Sequence, residues 1–524
     1  MREKQFYFII GLVLILAITI PYIYAAQTGG AEHIFGGFLM NTQDGNSYLA
    51  KMYQGWRGNW RFTLPYTADP GEGGYIFLFY LGLGHVARIL NVPLLLVFHV
   101  TRILGAMCML WALAHFYETL FPSPQRRKLA FAISALASGL GWLAIPFGAF
   151  ASDFWVAETY PFLSAYSNPH FALGLALIVW MVTPRTEKRP FLFFAASLAL
   201  AVMSPFGVVI VGLALGGVWL STQDFQGLKD FRSLRDFGSL GPDFWNLLAA
   251  GLGGVPVLLY QYWLSHTDPI LMGWDAQNLT LTPPVWDVFL ALSPVFVLAL
   301  LGVRQAWAKK NTKILILWAG LGLALIFIPW NLQRRFMMGL YIPLAGLAAL
   351  GIESLGQKIK LKYRTLVIIL FTLALPTNLM VIFSGFYAAQ TRDPQVYFTA
   401  GEEQAFAWVE ANTHPSALIL TDSETGLYIP ARTGRRVIYG HPYETVNAIK
   451  EKEAVTLFFS GTMTTAQSEA FLHTRSVDYI FVGPREHYPL PKGEVPGVRP
   501  EEWLEMGVEL LFSNTAVQIY GVLP

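Results

Sequence analysis

The chain has 524 residues, of which 54% are hydrophobic and only 13% are charged, and its mean hydropathy is +0.44. Soluble domains are about a quarter charged, so this composition excludes a single soluble enzyme and a disordered chain. The formal net charge of +2 gives no argument for a nucleic-acid partner. Cys108 is the only cysteine, which excludes an internal disulfide and a cysteine metal cluster.

The charged residues are unevenly distributed. The last 138 residues hold 10 basic and 17 acidic side chains, whereas the first 386 hold 26 basic and 17 acidic ones. This pattern predicts an α-helical multi-pass membrane module over residues 1–386 and a small soluble α/β domain over residues 387–524.

The first apolar run, residues 6–24, is long for a signal peptide and is followed by many others, so it predicts an uncleaved first span. Ten further runs bring the predicted number of spans to eleven: 93–118, 128–150, 169–183, 190–204, 205–220, 244–264, 285–303, 314–329, 336–352 and 365–386.

Residues 75–90 form a shorter apolar segment that carries His85 and Arg88. If it crossed the membrane, every later loop would contradict the distribution of positive charge. We therefore expect an interfacial or half-buried helix here, and a twelfth, short crossing is the alternative.

Lys and Arg concentrate in alternate connections, which places these in the cytoplasm. The basic connections are 126–128, 185–189, 229–235, 304–313 and 358–364. Residues 151–168 and 265–284 contain no Lys or Arg and are placed outside, with the long loop 25–75 and residues 387–524. We expect a bacterial or archaeal plasma membrane with a cytoplasmic N-terminus.

The loop 25–75 interleaves charged with aromatic residues, as at a site on the membrane surface. Tyr48, Met52 and Trp56 recur at i, i+4 and i+8 and predict one face of an interfacial helix. The charged residues of the loop include Asp44, Lys51, Arg57, Arg61, Asp69 and Glu72.

The order of motifs in this loop resembles the first external loop of the GT-C superfamily of membrane glycosyltransferases. The similarity is closest to its protein-mannosyltransferase and aminoarabinose-transferase branch. The motifs are Gln43–Ala50, Gly58-Asn59-Trp60, Pro65, Glu72 and the aromatic segment Tyr75–Tyr80. The chain departs from the family pattern at Gly45, Asn59 and Gly73-Gly74.

The resemblance implies transfer of a sugar from a polyprenyl-phosphate carrier to a lipid, glycan or protein acceptor, by an inverting single displacement. It makes Asp44 the general base, and Glu72 a residue that orients the acceptor or binds a sugar hydroxyl. The alternative for Asp44 is a helix N-cap, and for Glu72 an ordinary polar turn.

A lipid-phosphate leaving group requires cations near the outer surface. Arg334 and Arg335 are the clearest candidates, because a guanidinium binds phosphate in a bidentate manner. A pair of interfacial side chains that snorkel to water is the alternative. Lys51 and Arg57 are weaker candidates, and Tyr48 is a candidate for sugar contact.

Glu158 lies in the external loop 151–168, and His170 follows it at the start of the next span. Together with Asp44 they could form a divalent-metal or acceptor site. The spacing contains no local metal motif, so we expect no metal or other cofactor. The alternative for His170 is a bond to the backbone at a helix start.

The C-terminal part predicts strands at 417–420, 437–439 and 479–482, with helices at 402–412, 444–459 and 464–473. No nucleophile–base set is recognisable there. An accessory domain is expected, and a glycan-binding role for Tyr428, Tyr439 and His441 is the alternative.

Two other functions remain open on the sequence. A transporter or flippase of a lipid-linked saccharide would require polar residues along a path through the spans. A non-catalytic component of cell-envelope polysaccharide assembly would act through its outer domain.

Overall fold

The structure is a computed structural model that describes residues 2–222, 241–486 and 507–523. The basic connection 229–235 lies outside the described residues. The described helices are α1 (Glu3–Thr28), α2 (Thr42–Trp56), α3 (Leu78–Leu90), α4 (Leu94–Leu120), α5 (Pro124–Leu136), α6 (Pro161–Tyr166), α7 (Pro169–Val182), α8 (Pro190–Met203), α9 (Pro205–Thr222), α10 (Pro242–Thr267), α11 (Pro269–Gln277), α12 (Val285–Leu292), α13 (Val295–Trp307), α14 (Lys313–Leu325), α15 (Tyr341–Ile359), α16 (Tyr363–Ala374), α17 (Pro376–Thr391), α18 (Ala400–Asn412), α19 (Thr425–Thr433), α20 (Ala448–Phe459) and α21 (Thr465–Arg475). The described strands are β1 (His33–Phe35), β2 (Tyr397–Thr399), β3 (Leu418–Leu420), β4 (Arg436–Val437), β5 (Tyr479–Val482), β6 (Val508–Ser513) and β7 (Gln518–Val522).

Helix starts follow from local sequence. Eight of the described helices begin with a proline, whose fixed φ and missing N–H suit the first helical position. Two others begin with a capping box, in which Thr399 pairs with Glu402 and Thr464 pairs with Gln467. These signals explain why several helices begin close to the start of a predicted run.

The chain is a multi-pass integral membrane protein. Within the described residues, five helical segments are long and apolar enough to cross a membrane: Glu3–Thr28, Leu94–Leu120, Pro124–Phe147, Pro242–Thr267 and Tyr363–Thr391. The pair α12–α13 adds a sixth if it forms one span, and it is bent by 75°. Each predicted apolar run overlaps a helix. Several of these helices are shorter than an upright span needs, so the count of eleven or twelve spans remains a prediction.

The chain divides into two compact units. Unit 1 contains residues 1–21, 99–260 and 280–386, and unit 2 contains residues 22–98, 261–279 and 387–524. The long loop after the first span therefore belongs to the same unit as the C-terminal residues. The predicted division at 386/387 coincides with one of the boundaries between the units, and the predicted domain limits otherwise remain a prediction.

Unit 1 is built around α15, in which every residue from Tyr341 to Ile352 is buried. Helices α5, α13 and α14 pack against it. The Tyr117 hydroxyl donates to the carbonyl of Ile342 at 2.8 Å, so the polar end of this buried ring is satisfied. A helix that is apolar on all sides is stable only in such a buried position.

Unit 2 contains two described sheets. Strands β1 and β2 form an antiparallel pair in which His33 faces Thr399. The other sheet has the strand order β4-β3-β5-β7-β6, with β3 parallel to β4 and β5, and β7 antiparallel to β5 and β6. The strands predicted at 417–420, 437–439 and 479–482 correspond to β3, β4 and β5, and β4 ends at Val437.

Helices α2 and α3 pack at backbone distance in unit 2. A Cβ atom on Gly55 would lie 2.0 Å from the Leu81 carbonyl oxygen, and one on Gly84 would lie 1.9 Å from that of Met52. Only glycine permits this approach from either side. The helix predicted within residues 75–90 is confirmed as α3, whose 13 residues are fewer than an upright span needs.

One hydrophobic cluster joins the loop 25–75 to the C-terminal residues. It includes Phe38 and Met52 from the loop and Phe406, Ile419 and Phe481 from the C-terminal part, all nearly inaccessible to solvent. Because the two regions share a core, the position of α2 depends on residues almost 400 positions further along the chain.

Candidate functional site

Asp44 lies in the first turn of α2. The helix begins at Thr42, and Asn41 is the N-cap residue, with a left-handed φ of 51°. The alternative interpretation of Asp44 as the N-cap is therefore wrong. A carboxylate in the first turn is stabilised by the helix dipole, and 46% of the Asp44 side chain is exposed. Asp44 is thus ionisable, accessible and held on a regular element.

Lys51 lies two turns further along α2 and is completely buried. Its ammonium group is 2.6 Å from Oε1 of Glu444, and Ser47 donates to the same carboxylate oxygen at 2.5 Å. Three aromatic rings surround the ammonium, with centroids 4.4 to 5.5 Å away: Tyr48, Phe62 and Phe77. This ion pair connects α2 to the segment 441–445.

Burial of two charges is costly unless each charge is compensated. Here the ammonium has a carboxylate, a hydroxyl and three π faces as partners. Burial alone raises the pKa of the Glu444 carboxyl, but the charge of Lys51, together with the hydrogen bonds from Lys51 and Ser47, outweighs that effect, and this pKa lies below its usual range. Glu444 is therefore a stable carboxylate at neutral pH.

His441 lies next to Asp44, with its Nε2 atom 3.8 Å from Asp44 Oδ1, and its side chain is 2% exposed. Its position follows from a tight backbone approach, since a Cβ on the preceding Gly440 would lie 2.3 Å from the carbonyl oxygen of Gly426. The His441 ring also contacts Tyr66, with 5.8 Å between ring centroids. Asp44, His441 and the Lys51–Glu444 pair thus form one polar cluster in unit 2.

Two other predicted residues lie on α2 or just beyond it. The ring of Tyr48 stacks on Tyr80 at 4.2 Å between centroids, with an interplanar angle of 9°. The Arg57 guanidinium lies 5.1 Å from the centre of the Tyr53 ring. Stacking and cation–π contacts restrict both side chains to one orientation.

Glu72 lies in an exposed turn of unit 2. Its side chain is 87% exposed, and its Oε2 atom is 3.3 Å from Nη2 of Arg61. The turn is closed by Asp69, which accepts a hydrogen bond from the Gly71 amide at 3.0 Å. This geometry fits the alternative of a polar turn and leaves the carboxylate accessible to a ligand.

The remaining predicted residues lie in unit 1. The 3₁₀ helix Gln333–Met337 carries Arg335, whose Nη1 is 3.5 Å from Glu158 Oε1, and Arg334, whose guanidinium is 4.9 Å from the Trp155 ring centre. His170 is buried at the second position of α7. Glu158 and Arg335 are therefore neighbours.

One buried carboxylate of unit 1, Asp153, has no role in the predicted site. Asp153 Oδ2 accepts from the amides of Gly139 and Gly141 at 3.1 Å and from the Thr377 hydroxyl at 2.8 Å. Burial raises the pKa of Asp153 to about 6, although these donors counteract it. Asp153 fixes the loop that follows α5.

The described residues contain no group of three or more His, Cys, Asp and Glu side chains that could hold a metal ion. The hypothesis that Asp44, Glu158 and His170 form one site joins residues of both units and remains a prediction.

Reasoning from sequence missed Glu444. Its signal is weak: an acidic residue three positions after His441 in His441-Pro442-Tyr443-Glu444. A buried Lys51 requires an anion, but nothing local in the sequence shows that Lys51 is buried or that its partner is 393 residues away. His441 was considered only as a glycan contact.

No protein-family model matches the sequence, and no curated protein matches it significantly. Solved structures define the class of the fold, which is that of the GT-C membrane glycosyltransferases. The predicted resemblance is therefore confirmed for the fold.

Among these structures, the chain is similar to the oligosaccharyltransferase of Archaeoglobus fulgidus tethered to an acceptor peptide, with a TM-score of 0.54 and 13% identity over 92% of this chain and 69% of that chain. The complex of AglB from the same organism with an inhibitory peptide and a dolichol-phosphate matches with a TM-score of 0.52 and 12% identity, over 92% of this chain and 70% of that chain. The arabinofuranosyltransferase AftD from Mycobacteria matches with a TM-score of 0.50 and 14% identity, over 98% of this chain and 40% of that chain.

Proposed function

We propose that this protein is a glycosyltransferase that takes a sugar from a polyprenyl-phosphate carrier at the extracytoplasmic face of a bacterial or archaeal plasma membrane. The observation that carries the proposal is the placement of Asp44, a half-exposed carboxylate in the first turn of α2, beside His441 and the buried Lys51–Glu444 pair. The fold supports it, since the similar oligosaccharyltransferase binds a dolichol-phosphate.

In the proposed reaction, Asp44 is the general base. The acceptor oxygen or nitrogen attacks the anomeric carbon, the bond from that carbon to the phosphate oxygen breaks, and the acceptor proton passes to the Asp44 carboxylate. The polyprenyl phosphate leaves with the bonding electron pair, and the configuration at the anomeric carbon is inverted. The proposed displacement needs no metal or other cofactor. Loss of sugar transfer after addition of a metal chelator would show a metal requirement.

The other predicted residues have supporting roles in this proposal. Arg334 and Arg335 neutralise the leaving phosphate, and Glu72 orients the acceptor or binds a sugar hydroxyl. Lys51 and Glu444 fix α2 and so hold the backbone of Asp44 in place. His170, Glu158, Arg57 and Tyr48 are candidates for contacts to donor or acceptor.

The proposed topology has eleven or twelve spans, a cytoplasmic N-terminus, and residues 387–524 as an extracytoplasmic α/β domain. The distribution of Lys and Arg supports it. Cysteines introduced singly at exposed positions in 387–524 and in the 358–364 connection should label from opposite sides of sealed vesicles.

The test of the proposed function is a transfer assay. Membranes that contain wild type, Asp44→Asn or Asp69→Asn are incubated with radiolabelled polyprenyl-phosphate sugars and then extracted. Asp69 is the matched control, because it is an aspartate of the same loop whose role is to close a turn. We expect transfer by wild type and by Asp69→Asn, and a loss of about 10²–10⁴-fold in Asp44→Asn.

Other outcomes separate the alternatives. Full activity of Asp44→Asn would exclude Asp44 as the base and keep the class of enzyme. Absence of transfer with any donor in the presence of lipid, glycan and peptide acceptors would contradict the proposal. Uptake of labelled lipid-linked sugar into sealed vesicles would then identify a flippase.

A further inference from the structure

The hydrogen bonds of His441 determine which ring nitrogen carries its proton. The backbone amide of Tyr443 donates to His441 Nδ1 at 3.2 Å. An amide N–H can only donate, so Nδ1 is the acceptor, and in the neutral ring the proton resides on Nε2. The amide of Tyr443 thus fixes the tautomer of His441 as well as its ring orientation.

The Nε2 atom is directed at Asp44. It is buried and has no hydrogen-bond partner among the described residues, yet it lies 3.8 Å from Asp44 Oδ1. A buried donor without a partner is unfavourable, so such an atom usually has a partner in the functional state. Catalytic hydrogen bonds are often long in a ligand-free structure and shorten in the complex with substrate.

The segment that carries His441 is rigid. The His441 amide donates to the Thr445 hydroxyl at 3.3 Å, and the Thr445 amide donates to the His441 carbonyl at 3.0 Å. Glu444, in the same turn, forms the buried pair with Lys51 of α2. The turn is therefore bound to the helix that carries Asp44, and the distance between His441 and Asp44 is restrained from both ends.

We propose that His441 is a positioning residue for Asp44. Its Nε2–H group donates to Asp44 Oδ1 when the acceptor binds, which fixes the carboxylate rotamer and directs Oδ2 at the acceptor proton. A neutral donor restrains the carboxylate and leaves its charge in place, so Asp44 remains a base. This inference rests on the proposed function, and it assigns a role in transfer to the segment 441–445.

The test compares two substitutions of the same residue. His441→Gln can keep an N–H group near the position of Nε2, whereas His441→Phe keeps a ring and has no donor. His33→Phe is the matched control, because His33 also lies in unit 2 with a buried Nδ1 atom that has no hydrogen-bond partner among the described residues. All variants are assayed as full-length protein in membranes, with transfer first established for wild type.

We expect kcat of His441→Phe to fall about 10- to 100-fold with KM for the donor unchanged, since a small misplacement of a catalytic group costs up to about 10²-fold. His441→Gln should recover most of the loss, and His33→Phe should match wild type. A kcat of His441→Phe within twofold of wild type, or a His441→Gln that is no better than His441→Phe, would overturn the proposal. A purely structural role would predict equal losses in both variants.

A second measurement does not depend on activity. In a spectrum of ¹⁵N-histidine-labelled protein, His441 is assigned by its absence in His441→Gln. In wild type we expect the His441 Nε2 to be protonated and Nδ1 to be unprotonated. The ¹⁵N signal of Nε2 should shift in Asp44→Asn. The opposite tautomer, or a signal that is the same in Asp44→Asn, would overturn the inference even if wild type shows no transfer. Absence of transfer alone would instead contradict the proposed function.

Discussion

Glu444 in unit 2 and Asp153 in unit 1 are buried carboxylates that are stabilised in different ways. In unit 2, Glu444 has an ammonium partner 2.6 Å away, and its pKa lies below the usual range. In unit 1, Asp153 has three hydrogen-bond donors to one oxygen, and burial raises its pKa to about 6. A full opposite charge outweighs desolvation, whereas dipolar donors reduce the cost and do not remove it.

This difference matters for function, because it separates a carboxylate that stays ionised from a carboxylate whose role is to fix a loop. The Lys51 ammonium keeps Glu444 ionised over the neutral pH range. Asp153 closes a loop, and its charge changes in mildly acidic solution. Three substitutions test this comparison, and we describe them from the largest expected effect to the smallest.

The largest effect is expected for Lys51→Met. Removal of the ammonium leaves the buried Glu444 carboxylate without its cation, which typically costs about 3–5 kcal/mol of unfolding free energy. The measurement is an unfolding titration in mixed micelles. Lys452→Met, at an exposed position in α20, is the matched control and should change the unfolding free energy by less than about 0.5 kcal/mol.

The double variant Lys51→Met/Glu444→Met sharpens this test. Because an apolar pair of similar size can replace a buried ion pair at little cost, most of the lost unfolding free energy should return. A double variant as unstable as Lys51→Met would mean that the lost packing around the ammonium, and not the uncompensated charge, destabilises the single variant.

A smaller effect that depends on pH is expected for Asp153→Asn. The folded pKa of about 6 exceeds the ordinary value of 3.8, so the folded state binds the proton more tightly than the unfolded state. The contribution of Asp153 to stability is therefore complete below about pH 4 and is lost as the pH rises through about 6, by about 3 kcal/mol.

Because Asn does not titrate, the unfolding free energy of wild type minus that of Asp153→Asn should decrease by this amount between pH 4 and pH 7. Unfolding titrations of both proteins at four pH values measure the decrease. A difference that is independent of pH would show that the Asp153 pKa is ordinary.

The smallest effect on stability is expected for Glu72→Gln. Its ion pair with Arg61 is exposed, with side chains that are 87% and 53% accessible, and exposed pairs contribute about 0–1 kcal/mol. The unfolding free energy should therefore change by less than about 1 kcal/mol. A loss of transfer at this unchanged stability would support contact with substrate, whereas a large loss of stability would contradict the exposed geometry.

Much of the fold was predictable because its signals are local. Apolar runs lie within short windows, and they predicted most helices and the strands β3, β4 and β5. The antiparallel strands β6 and β7 were not predicted. In β6, the consecutive exposed residues Leu510 and Leu511 interrupt the expected alternation. The extent of unit 2 was also missed, because it depends on contacts between distant segments.

The candidate site was predictable only in part. The motifs around Asp44 lie within about forty residues, and the structure places Asp44 at the start of the predicted helix. The residues that surround it, His441 and Glu444, come from a segment whose own sequence shows no catalytic pattern. A buried lysine is exceptional, so the polar type of Lys51 indicated an exposed ligand for phosphate, and its burial depends on tertiary structure.

The distance in sequence between Lys51 and Glu444 has a consequence for synthesis of the protein. Chains grow at about 5–20 residues per second, so the 393 residues between them take about 20–80 s to make. During that time α2 has neither its counter-ion nor the hydrophobic residues of the C-terminal part. A nascent chain therefore holds Asp44 without the groups that fix it, and chains that stop before residue 444 should be inactive however well their apolar helices insert.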